Sequence, residues 1–236
     1  MNTTLLLQRL QQPEFRMGVG LAFASFVLWR IPVLGWPLYP FYLFGVFIHE
    51  LSHGFAALLT GGRFERFVIR SNRSGFAIVS GGIGCIVASA GYLGSALAGG
   101  LLLMIAMSDT PSGRILLILG IVLGLLCLLF VRNFFGIVAG LGLACALILA
   151  GQRLDEFWTK ALLWFLAIQL FLYTFARLFN LLEYSSHPLN SDAHMLAKET
   201  GIHAAIWLLL WLLITVGILY IALNRAYDIP LPWVAE

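Results

Sequence analysis

Seven stretches of the chain, 17–34, 38–60, 83–107, 115–131, 134–150, 161–182 and 204–223, are runs of apolar residues with almost no charge. A helix needs about 20 such residues to cross a bilayer. Inside hydrocarbon a backbone has no water to bond to, so a spanning segment must satisfy its own N–H and C=O groups as a helix or in a closed barrel. The runs at 115–131 and 134–150 are short and are joined only by Arg132-Asn133. They read as a tight pair that crosses incompletely, which sets the expected count at six or seven spans. Composition agrees: 61% of the 236 residues are apolar and 11% are charged, against about 25% charged in soluble domains. The expected architecture is an all-α polytopic membrane protein forming one integral-membrane domain over 1–236, with its core at about 38–200.

One segment breaks the helical pattern. After Gly61-Gly62, residues Phe64, Arg66, Val68 and Arg70 alternate with Glu65, Phe67 and Ile69. A polar turn, Ser71-Asn72-Arg73-Ser74, leads into Gly75-Phe76-Ala77-Ile78-Val79-Ser80. Alternation with a period of two around such a turn predicts a small β-hairpin. In the next run, Gly91-Tyr92-Leu93-Gly94-Ser95-Ala96-Leu97-Ala98-Gly99-Gly100 supplies the small residues that let helices approach closely in lipid, so packing is the expected role of its glycines.

The net charge of +3 and the absence of a basic run argue against a nucleic-acid partner. Counted for seven spans, Arg9, Arg16, Arg63, Arg66, Arg70, Arg73, Arg132 and Lys198 fall on one side, and Arg114, Arg153, Lys160 and Arg225 on the other. The excess of basic residues in cytoplasmic loops then places the N-terminus and the 61–82 segment in the cytoplasm. Arg30 and Arg177 lie inside spans and are expected to snorkel to the interface or to pair within the bundle. The polar start (Gln8, Arg9, Gln11, Gln12, Glu14) lacks the features of a signal peptide, so the first span is expected to stay in the mature protein. Cys85, Cys127 and Cys145 sit in apolar runs without CxxC spacing and read as buried packing thiols.

The chemistry concentrates in His49-Glu50-Leu51-Ser52-His53, in the middle of the second run. A shuffled chain of this composition would carry His-Glu-x-x-His about 0.003 times. Four-residue spacing on a helix puts both imidazoles on one face, where they can grip one zinc ion, with the intervening Glu placed to act on water. Ionisable groups inside a hydrophobic span are costly and are kept for function or pairing. A catalytic zinc takes a third protein ligand. The richest polar stretch lies between the last two runs, Asn180-Leu181-Leu182-Glu183-Tyr184-Ser185-Ser186-His187-Pro188-Leu189-Asn190-Ser191-Asp192-Ala193-His194. Residue chemistry alone leaves Asp192, His187, His194 and Glu183 open as that ligand.

The order of these features resembles the site-two protease family of intramembrane zinc metalloproteases. It comprises His-Glu-x-x-His in an early apolar run, a hairpin-like segment, a Gly-rich helix and a late Asn-Leu-Leu…Asp. Ala90-Gly91-Tyr92-Leu93-Gly94-Ser95-Ala96 and Ser191-Asp192-Ala193 are similar to its short, single-domain bacterial-type members, over about residues 40–200. The resemblance implies Asp192 as third zinc ligand with His49 and His53, Glu50 as general base, Asn180 as a substrate contact, and zinc as cofactor. It also implies that transmembrane proteins are the substrates; the lack of a targeting segment sets the expected location as a bacterial-type cytoplasmic (inner) membrane. The match is incomplete: Ser191 and Ala193 replace the Leu and Gly around the Asp, Glu183 stands where a Pro is expected, and the Asn-to-Asp spacing is longer than usual. The expected function is a zinc-dependent intramembrane endopeptidase, with the hairpin edge holding an unwound substrate. The alternatives are an inactive relative acting as a membrane scaffold or chaperone, against which the intact Glu50 speaks, and a metal transporter, which would need further ligand sets along a path. No oligomeric state follows from the sequence.

Overall fold

The apolar runs become helices. A computed structural model describes residues 13–30, 36–183 and 191–227. In chain order it comprises α1 (Pro13–Arg30), a 3-10 turn (Trp36–Leu38), α2 (Tyr39–Leu59), β1 (Arg63–Ile69), β2 (Gly75–Ser80), α3 (Gly84–Ala106), α4 (Ser112–Phe130), α5 (Phe134–Arg153), α6 (Glu156–Glu183), α7 (Asp192–Thr200) and α8 (Ala204–Ala226). Among the described residues, six helices are long and apolar enough to cross a membrane: α2 with its leading turn, α3, α4, α5, α6 and α8. The two runs read as short are helices of 19 and 20 residues and count among the six. The apolar part of α1, Val19–Leu28, is shorter.

Helices α2, α3 and α6 form the interior, while α4, α5 and α8 turn most of their surface outward. The main core joins Phe44 and Phe47 of α2, Phe67 and Ile69 of β1, Leu116 of α4, and Leu163, Leu166, Leu170 and Tyr173 of α6. A buried Gln169 on α6 donates to the Ser25 hydroxyl at 2.8 Å, pinning α1 to the bundle with a hydrogen bond that has no water to compete with it. The cysteines depart from expectation. Cys127 is buried, Cys85 is half-buried and Cys145 is exposed. Lipid-facing and core-facing surfaces are equally apolar, so an apolar neighbourhood in sequence does not imply burial.

The 61–82 segment is an antiparallel hairpin, with Ile69 opposite Gly75 and Phe67 opposite Ala77. Its turn is closed by Asn72, whose side-chain oxygen accepts from the Ser74 amide and hydroxyl, and by Arg73 at φ 68°. Strict alternation would set Phe64 on the face opposite Phe67 and Ile69. A bulge between Phe64 and Arg66 instead turns all three inward, since one extra residue shifts the side-chain phase. The three are buried, Phe64 stacked on Phe130 and Phe67 edge-on to Phe47.

The outer edge of β1 is covered. Val131 bridges Phe67, the Arg132 amide donates to the Phe67 carbonyl at 3.2 Å, and the Asn133 side chain bonds both backbone groups of Ile69 at 3.2 and 2.7 Å. The α4–α5 connection thus takes the place of a third strand, and among the described residues no strand pairs with the other edge of β2.

Helix α7 begins where Ser191 accepts from the His194 amide, an N-cap that satisfies one of the otherwise orphaned donors of its first turn. It docks through Ala193 and Leu196, both buried in a second apolar cluster with Tyr92, Leu178, Leu208 and Trp211. Trp211 stacks on Tyr92 at 4.9 Å and donates to Ser89. This cluster ties the polar helix that carries Asp192 to α3 and α8.

Candidate metal centre and its cavity

Spacing by four on α2 brings the His49 and His53 rings 4.7 Å apart, edge to face. Their Nε2 atoms lie 3.2 Å from each other. The His53 Nδ1 is 2.7 Å from the Val87 carbonyl, which can only accept, so Nδ1 carries the proton and Nε2 of the neutral ring is a free lone pair. His49 presents its own Nε2 to the same point, and its Nδ1 is buried without a hydrogen-bond partner.

Asp192 Oδ2 lies 3.7 Å from the His49 Nε2 and 3.6 Å from that of His53. Donors of a tetrahedral zinc held at about 2.0–2.1 Å stand roughly 3.3–3.4 Å apart. Edges of 3.2, 3.6 and 3.7 Å, two neutral imidazoles and one carboxylate therefore fit such an ion. Burial opposes ionisation of Asp192, but the two imidazoles and the guanidinium of Arg177 outweigh it and lower the pKa of the carboxyl. It is a carboxylate at neutral pH, as a ligand must be.

Two glycines make the room. A Cβ on Gly91 of α3 would stand 2.4 Å from both His49 Cε1 and His53 Nε2. The glycine expected only to pack helices lies against the two histidine rings. A Cβ on Gly75 of β2 would stand 2.8 Å from Glu50 Oε1. Glu50 is buried beside the histidines, outside the three-residue donor cluster, and the Ala77 backbone amide faces its carboxylate.

A cavity of about 710 Å³ opens on these groups. His49, Glu50, His53 and Asp192 line it, with Gly75, Phe76, Ala77 and Val79 of the hairpin along one wall. Tyr92, Arg177 and Glu199 also line it, and none of the three stood out as a site residue in the sequence. Arg177 was readable there as a cation inside an apolar run, but no pattern tied it to the site.

The other residues weighed as ligands lie elsewhere. Glu183 is exposed at the end of α6, and the His194 Nδ1 is 2.8 Å from the Ser191 hydroxyl. His187, and the side chain of Arg30, are outside the described residues. Asn180 is exposed and is not among the lining residues, where α6 contributes Arg177 and Leu181 instead.

A protein-family model described as Peptidase M50B-like matches residues 19–222. No curated protein and no solved structure matches the chain.

Proposed function

Because the chain belongs to the Peptidase M50B-like family, we propose that it is a zinc-dependent intramembrane endopeptidase that cleaves transmembrane segments of membrane proteins. The observation that carries this reading is the convergence of two imidazole Nε2 atoms and one carboxylate oxygen on one point, with Glu50 beside them, in a cavity walled by helices of membrane-crossing length.

His49, His53 and Asp192 hold the zinc. Bound there, zinc supplies Lewis-acid polarisation of the scissile carbonyl and eases deprotonation of the attacking water. Glu50 accepts the water proton and returns it to the departing amine. Hydrogen bonding of His53 Nδ1 to Val87 keeps that ring in the ligating tautomer and orientation.

A peptide bond within a helix is shielded by its own hydrogen bonds, so the substrate must unwind to be cut. The exposed groups of an unwound strand need partners at membrane depth, and β2 offers them. Phe67 and Ile69 direct backbone groups outward to the α4–α5 connection. Their opposite numbers in the antiparallel pair, Ala77 and Gly75, therefore direct theirs outward on the other edge, into the cavity wall. A substrate strand adds to that edge by β-augmentation.

The test is Glu50→Gln, which keeps the size of the side chain and removes the base. Membrane proteins of cells carrying the parent and the variant are compared for cleaved transmembrane fragments, alongside zinc content. Fragments that vanish in the variant while zinc stays at one per chain support the reading. Unchanged fragments would falsify it.

A further inference from the structure

Arg177 is a cation in an apolar span that lines the catalytic cavity. Such a group is costly in a membrane interior and is normally paired. Among the described residues, no carboxylate lies within ion-pair distance of it. Its Nε is buried without a hydrogen-bond partner. The contact it does have is the face of Tyr173, one helical turn earlier, with the guanidinium carbon 5.9 Å from the ring centre. The centre of the His49 ring lies 6.0 Å from the centre of that same tyrosine ring. Arg177 and His49 thus both neighbour one aromatic ring, and the charge of Arg177 acts on His49, Glu50 and Asp192 together. A cation on the wall of this cavity, with no ion pair among the described residues, is completed by something that arrives.

An unwound transmembrane segment brings few charges and many bare backbone carbonyls. A guanidinium presents five donors in a fixed plane and does not lose its proton. We propose that Arg177 is the receptor for the scissile carbonyl oxygen of the substrate and stabilises the negative charge that develops on it. As the oxygen of water bonds to the carbonyl carbon, the C=O π pair moves onto the carbonyl oxygen beside Arg177, and the water proton goes to Glu50. When that pair returns, the C–N bond breaks, its electrons leave on nitrogen, and Glu50 supplies the proton. Preorganised donors aimed at developing charge are worth most in a water-poor site. This inference rests on the peptidase reading and adds to it a catalytic residue three positions ahead of Asn180, which is itself exposed.

The test uses the full chain in lipid vesicles with a fluorogenic transmembrane-helix reporter peptide, chosen because Glu50→Gln abolishes its cleavage. Arg177→Met and Arg177→Lys are compared with the parent for zinc content, kcat, KM and affinity for a phosphinic peptide, whose tetrahedral anion mimics the charged oxygen. For Arg177→Met, zinc stays at one per chain, kcat falls about 100-fold or more with KM within about threefold, and phosphinate affinity falls in parallel. Arg177→Lys recovers part of both. The proposal is overturned if kcat stays within about threefold of the parent, or if the loss lies wholly in KM. Should Arg177→Met fail to fold or to retain zinc, Arg177→Gln replaces it under the same criteria. A fully active Arg177→Met beside a dead Glu50→Gln sinks this inference alone, whereas cleavage of membrane substrates that survives Glu50→Gln sinks the peptidase reading itself.

Discussion

A single hydrogen atom at residue 91 decides whether two imidazoles can face one another. The methyl of Gly91→Ala would overlap His49 Cε1 and His53 Nε2, each 2.4 Å away. The rings cannot retreat far, because Tyr92 packs edge-on against His49 at 4.7 Å and Val87 holds His53. Gly91→Ala is therefore expected to weaken zinc binding at least 10-fold, in the range seen when groups that orient a ligand are lost. Chelator competition would measure this. Gly217→Ala, with nothing within 4 Å of its Cβ, is the control and should bind as the parent does. At this scale the sequence was most legible where the constraint is local. His49, Glu50 and His53 follow from helix geometry alone. Asp192 was one of four residues left open by chemistry, and the family resemblance singled it out. Gly91 could not be found, since a glycine that clears a ligand and one that packs two helices look alike in sequence.

The hairpin shows what an element gains from a distant neighbour. Alternation disclosed both strands, but the bulge after Phe64 and the cap on β1 were invisible. The cap comes from Asn133, far along the chain, and one asparagine in a connection carries no sign that it will bond Ile69. Its consequence is that neighbouring residues of β2 tolerate proline differently. Ala77 directs its amide toward Glu50 and the cavity, so Ala77→Pro removes no bond to β1. The expected outcome is a folded, zinc-loaded protein with reporter-peptide KM raised at least 10-fold. Ile78→Pro, one residue on, removes a bond within the hairpin and is expected to lower thermal stability instead. Equal KM values for the parent and Ala77→Pro would show that substrate does not pair with this edge.

Across the whole molecule, hydropathy located the six helices of membrane-crossing length among the described residues, but not the way each one faces. Lipid tails and core side chains are equally apolar, so a buried helix such as α2 and a peripheral one such as α5 differ little in periodicity. That is why Cys145 was read as buried and is exposed. The basic residues give a further bearing. With Arg63, Arg66, Arg70 and Arg73 around the hairpin, its turn is expected in the cytoplasm, and the α3–α4 connection on the opposite side. In a background without native cysteines, a membrane-impermeant maleimide applied to intact cells should label Asp109→Cys and spare Asn72→Cys, and the reverse pattern would invert the topology. The three side chains of the candidate metal site are split between a helix near the start of the chain and one near its end. A ribosome will have threaded nearly all the spanning helices into the membrane before residue 192 emerges. If the chain is the peptidase proposed, the growing polypeptide is thus disarmed during its own synthesis, and the surrounding membrane proteins are spared until assembly is almost finished.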